Sequence, residues 1–119
     1  MDFKIYPDFR IRLINEKPFY GPGAQQLLQL TEQTGSLRNA CCLMGLSYSK
    51  GRKIVAVIEQ QTGRQIMESR QGGKTGGNST VTEAGIELVR SYDVFCTEAN
   101  QMLHELFDKH FKESFWKGA

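Results

Sequence analysis

Residues 36–48, Ser36-Leu37-Arg38-Asn39-Ala40-Cys41-Cys42-Leu43-Met44-Gly45-Leu46-Ser47-Tyr48, read as a helix, a tight turn and the start of a second helix. Ser36 is a capping residue type, whose side-chain oxygen accepts from a free first-turn amide. Leu37, Ala40, Cys41 and Met44 then recur at the spacing of one buried helical face. Gly45 breaks the helix, Leu46 tucks under the turn, and Ser47 caps the next helix, predicted over residues 48–61 with Ile54, Val55 and Ile58 facing the core. Ala40 is the small residue such a pair needs where its helices touch. The second helix of a helix-turn-helix fits the major groove of DNA.

On the N-terminal side, Ala24, Leu27, Leu28 and Thr31 predict a helix near residues 23–33, stopped at Thr34-Gly35. Before it, Phe9, Ile11 and Leu13 alternate with Arg10, Arg12 and Ile14, a strand with one buried face. Asn15-Glu16-Lys17-Pro18 turns the chain, and Phe19-Tyr20 returns beside that strand before Gly21-Pro22-Gly23. On the C-terminal side, strands are expected at Ile66 to Arg70 and Thr80 to Thr82. The glycines between them, around Lys74, form a wing loop. A last helix starts at Thr82 or Glu83 and runs to about residue 113. Helix-turn-helix, hairpin and long helix together make a mainly α, α+β winged helix-turn-helix with a leading β-hairpin. The expected organisation is one domain, with residues 1–82 as the DNA-binding region and residues 83–119 as a dimerisation helix.

The net charge is only +2, but it is unevenly spread. Residues 50–74 hold Lys50, Arg52, Lys53, Arg64, Arg70 and Lys74 against Glu59 and Glu68, a local +4. Residues 75–119 hold four basic and seven acidic side chains, a local −3. Positive charge thus sits on the second motif helix and the wing, where phosphates would lie.

The last helix carries a heptad seam of Val89, Tyr92, Cys96, Ala99, Leu103 and Leu106. A domain of this size covers only its first two or three turns, so the rest of the stripe calls for a partner helix, hence a homodimer. Other chemistries are poorly supported. Gly73-Lys74-Thr75 lacks the earlier glycine and the following helix of a phosphate-binding loop. His104 and His110 fall on different helical faces, so no metal is expected. The three cysteines form no Cys-x-x-Cys pair; Cys41 and Cys42 read as core and filler, and reduced thiols fit a cytoplasmic protein. No nucleophile–base or carboxylate pair suggests an enzyme, and no cofactor is implied. No signal peptide or membrane-length stretch is present.

These residues resemble the N-terminal domain of ModE-type molybdate-responsive transcription regulators. The likeness runs through Gly21-Pro22-Gly23, Leu27-Leu28, Thr34-Gly35-Ser36-Leu37, Ala40, Met44-Gly45-Leu46-Ser47-Tyr48 and Lys50. It resumes at Gly72-Gly73-Lys74, Gly76-Gly77, Thr82-x-x-Gly85 and Leu88. LysR-type regulators share the helix-turn-helix and the Thr82-x-Ala84-Gly85 pattern but usually lack the leading strand and the double-glycine wing. The resemblance implies DNA binding and a homodimer. Three departures stand out: Ala40-Cys41 replaces an Ala-Ala pair, Arg52 stands where many members have an aromatic, and the chain ends at Ala119 without oxyanion-binding domains. Molybdate sensing is therefore not implied, or falls to a separate oxyanion-sensing partner.

The expected function is a non-enzymatic, sequence-specific, double-stranded DNA-binding transcriptional regulator. Ser49, Lys50, Arg52 and Lys53 would face the groove, and Ser36, Ser47, Tyr48, Arg70 and Lys74 would contact phosphates. The alternative is a winged-helix protein-interaction module that has lost DNA reading. Gly51, a poor helix former in the second motif helix, would fit such decay.

Overall fold

The computed structural model describes residues 4–70 and 78–116. A leading hairpin pairs β1 (Leu13–Ile14) with β2 (Pro18–Tyr20), followed by α1 (Pro22–Thr34), α2 (Leu37–Met44) and α3 (Tyr48–Thr62). The second antiparallel hairpin, β3 (Met67–Arg70) and β4 (Asn78–Val81), leads into α4 (Glu83–His110) and a single turn, α5 (Glu113–Trp116). The element order is that of an α+β, winged-helix-like fold. Lys74 and the wing glycines around it lie outside the described residues.

Local chemistry sets the helix boundaries. The hydroxyl oxygens of Ser36 and Ser47 accept from the amides of Asn39 (3.0 Å) and Lys50 (3.1 Å), so each satisfies a first-turn donor that has no helical partner. Gly45 ends α2 at φ +69°, a left-handed conformation that only glycine adopts without strain. There the Leu46 amide donates back to the Cys41 carbonyl at 2.9 Å, which closes the turn between α2 and α3. Thr82 begins α4 in the same manner, accepting from the Gly85 amide while donating to the Gln65 carbonyl.

Leu27, Leu28, Ala40 and Ile58 are completely buried, with Leu37, Cys41, Val55, Ile66 and Val81 around them. This is the core face expected of the three helices. Two glycines are built into it. A Cβ on Gly51 would overlap the Cys41 Sγ, so α3 approaches α2 more closely than any side chain permits. Close packing, not decay of the recognition helix, therefore accounts for Gly51. A Cβ on Gly85 would stand 2.7 Å from the Ile66 carbonyl oxygen and 2.5 Å from Val81 Cγ1, where α4 crosses the second hairpin.

Other expectations change. Phe9, Ile11 and Leu13 alternate in burial with exposed Arg10, Arg12 and Ile14, but only Leu13 and Ile14 pair as strand. Their partner strand is three residues long and opens on Pro18, which has no amide to donate. Cys42 is exposed, so it is not core filler; Cys41 is buried, and burial pushes its thiol pKa up. The last helix stops at His110, and Trp116 then stacks on Phe111 (5.7 Å) and Phe107 (6.2 Å).

A buried polar chain joins the leading hairpin to α4. The Tyr20 hydroxyl donates to Gln25 Oε1, Gln25 Nε2 donates to the Val89 carbonyl at 2.9 Å, and the Tyr92 hydroxyl donates to the Ile11 carbonyl at 2.7 Å. The two tyrosine rings meet edge to face at 5.0 Å. Burial first, then the neighbouring Cys96 thiol, pushes Tyr92 from 10.0 up to about 12. Unfolded chains lose the tyrosine proton first, so the contribution of Tyr92 is intact below pH 10.0 and lost as pH rises through about 12. Urea unfolding should show stability falling over that window, and Tyr92→Phe should make the fall shallower. Identical slopes in the two proteins would contradict this.

The molecule is elongated, 67 × 31 × 21 Å with a radius of gyration of 18.7 Å. A compact domain of this length would have a radius near ~13.5 Å. The excess reflects α4, about 42 Å long at 1.5 Å per residue. Its residues are buried only as far as Tyr92. Beyond that point Val94, Phe95, Met102 and Leu106 are all at least half exposed. Among the described residues no helix is long and apolar enough to cross a membrane.

Candidate nucleic-acid interface

The start of α3 presents two basic faces, and helical spacing decides which residue lies on which. Tyr48 and Arg52, four apart, share one face; Lys50 and Lys53, three apart, share another. The Tyr48–Arg52 face borders a notch of about 340 Å³ between the helix-turn-helix and the second hairpin. Arg38 and Arg70 enter this notch from α2 and the end of β3, and Ser69, Asn78 and Ser79 complete its wall. Among the described residues, no acidic side chain lines it.

Tyr48 organises the cations. The Arg38 guanidinium carbon lies 4.1 Å from the centre of its ring and that of Arg52 lies 5.9 Å away. The electron-rich ring face attracts both groups and offsets their mutual repulsion. Both arginine side chains are exposed. Three guanidiniums and a phenol border one small concavity, and such planar forks can make bidentate contacts with phosphate oxygens or with a guanine edge. β4 is fixed beside it by the Ser79 amide, which donates to the Gly35 carbonyl at 2.9 Å, tying the hairpin to the end of α1.

The sequence-predicted residues distribute as follows. Tyr48, Arg52 and Arg70 meet in the notch. Lys50 and Lys53 instead border a groove on the opposite flank of α3, and Ser49 stands exposed on that helix. Ser36 and Ser47 accept from the helix amides, which leaves each hydroxyl proton free to donate elsewhere. Arg38 was not among the expected residues. No local signal marks it: Arg38 is an exposed residue at the start of α2, and only the folded arrangement sets it over the Tyr48 ring.

On α4, Val89 and Tyr92 pack into the chain's own core and Cys96 packs against it, so these three seam positions are used at least partly within the chain. Cys96, Ala99 and Leu103 are half-buried and Leu106 is 51% exposed.

No protein-family model matches the chain. Over 75 residues, 63% of the chain, it is 32% identical to the molybdenum-pterin-binding protein MopA of Rhodobacter capsulatus. It is 26% identical to the transcriptional regulator ModE of Yersinia pestis over 95 residues, 80% of the chain. To the transcriptional regulator ModE of Haemophilus influenzae it is also 26% identical, over 91 residues, 76% of the chain. The matched stretches cover 28%, 36% and 36% of those proteins, so the chain spans about a third of the length of these relatives. All three are named as regulators or binding proteins, not as enzymes.

Proposed function

We propose that the chain is a non-enzymatic, cytoplasmic transcriptional regulator that binds a specific double-stranded DNA site as a homodimer. The observation that carries the reading is the acid-free notch in which Arg38, Arg52 and Arg70 gather around Tyr48, beside the exposed start of α3. Two of the similar proteins are named transcriptional regulators, which supports the same reading. The first turns of α3 enter the major groove, with Arg52 on one flank, Lys50 and Lys53 on the other and Ser49 between them, each flank within reach of base edges. Tyr48, Arg70, Ser36, Ser47 and now Arg38 contact the flanking phosphates. Phosphate contacts supply affinity; base contacts supply choice of site. The half-exposed stretch of α4 from Cys96 through Leu106 packs on its counterpart in a second copy.

Arg38 and Arg52 separate the two kinds of contact. Arg38→Ala should weaken binding to preferred and random duplexes by a similar factor and lower the salt slope by about one released counterion. Arg52→Ala should cost about 1–3 kcal/mol on the preferred duplex and much less on random DNA, because its fork can grip a guanine edge. Titrations of both duplexes at two salt concentrations check this. Equal losses on both DNAs for Arg52→Ala would move it to the phosphate set.

A further inference from the structure

A second concavity lies away from the arginine notch, between the leading hairpin, the start of α1 and the flank of α3. It measures about 600 Å³, within the range of sites that hold small organic ligands. Its floor is apolar, made by Phe19, Ala24, Met44, Leu46, Ile54 and Val57. Its charged lining is entirely basic: Arg10 and Arg12 from the leading segment, Lys50 and Lys53 from α3. The stem of Arg12 lies over Gly21 at the groove's end, with Cγ 3.6 Å from where a Cβ on that glycine would stand. At the same end α1 begins on Gly21-Pro22-Gly23 with no side-chain cap and no acidic residue in its first turn, so its positive end adds to the four cations.

Four exposed cations bordering an apolar groove fit neither a neutral ligand nor a bare oxyanion well. A neutral apolar molecule leaves the cations unpaired, and a bare oxyanion leaves the apolar floor wet. The complementary occupant has an apolar body and one anionic head. We infer that this groove binds a small amphipathic anion, such as a carboxylate with an aliphatic or aromatic body, and that its occupant competes with DNA for Lys50 and Lys53. The first half goes beyond the proposed function and does not depend on it; the second half rests on it. The occupant is a free molecule rather than a membrane surface, since the concavity is of the size that holds small organic ligands.

The experiment is a nuclear magnetic resonance titration of the whole chain, without DNA, using decanoate below its micelle concentration. Saturable amide shifts are expected at Ala24, Met44, Leu46, Ile54 and Val57. Decyltrimethylammonium, with the same tail and opposite charge, should produce none. Arg12→Gln with Lys53→Gln, both exposed side chains, should weaken decanoate binding about tenfold or more. Equal shifts from the cationic amphiphile would reduce the groove to a merely apolar surface and overturn the inference. So would decanoate shifts confined to α4, no saturable shift, or binding only to phosphatidylglycerol vesicles. Saturating decanoate should also weaken duplex binding by the unmodified chain. A duplex that binds equally well with the groove filled would overturn the competition while leaving the site standing, and failure to bind any duplex would tell against the proposed function alone.

Discussion

Gly85→Ala is expected to destabilise the protein, although alanine is the better helix former. Intrinsic propensity alone would favour alanine by about 1 kcal/mol at this position in α4. The new Cβ, however, would stand 2.7 Å from the Ile66 carbonyl oxygen and 2.5 Å from Val81 Cγ1. The first of these is backbone, held in place because the same carbonyl accepts from the Thr82 amide at 2.9 Å. The methyl group cannot be accommodated by rotating a side chain, so α4 must shift away from the second hairpin. Overpacking of this kind costs about 1–3 kcal/mol or more and outweighs the propensity gain. Urea unfolding should place the midpoint below that of the unmodified chain with an unchanged slope. A raised midpoint would mean that α4 does not cross the hairpin as closely as described.

The second large effect concerns assembly. Leu103→Glu combined with Leu106→Glu should convert a dimer into a monomer. These positions lie beyond Tyr92, where the chain's own core ends, on a stretch that leaves Phe95 and Met102 more than half exposed as well. Two carboxylates facing their copies across a helix pair would be buried unpaired or would hold the helices apart. Because Leu103 is only half-buried and Leu106 is exposed within the chain, the monomer should keep its fold and its helical signal. Analytical ultracentrifugation at micromolar concentration reads the change. An unmodified chain that already sediments as a monomer contradicts the assembly.

What could be read from the sequence was what local chemistry determines. Ser36, Ser47 and Thr82 cap helices because their hydroxyls reach amides three residues on. The buried faces of α1, α2 and α3 follow from apolar spacing, and the turn between α2 and α3 follows from Gly45. What escaped depends on distant parts of the chain. Arg38 is an ordinary exposed helix residue until Tyr48 comes beneath it from the next helix. Gly51 lowers local helix propensity, and only the Cys41 thiol opposite shows why no larger residue stands there. The heptad seam comprises six residues at the spacing of one helical stripe. A repeat cannot distinguish the chain's own core from a partner, and Val89 and Tyr92 are used for the former. Arg10 and Arg12 were read as the wet face of a strand, yet the folded chain brings them to Lys50 and Lys53 around an apolar groove.

The most direct test of the account is selection of duplexes from a random pool by the unmodified chain, followed by titration of the selected and random sequences at two salt concentrations. The account predicts an inverted repeat with half-sites one helical turn or a multiple of a turn apart, as two-fold-related recognition helices require. It predicts selected sites bound at least a thousandfold more tightly than random DNA, within the range of about 10³–10⁷ seen for specific regulators. Weak, equal binding to selected and random duplexes, or full affinity for a single asymmetric half-site, would contradict it.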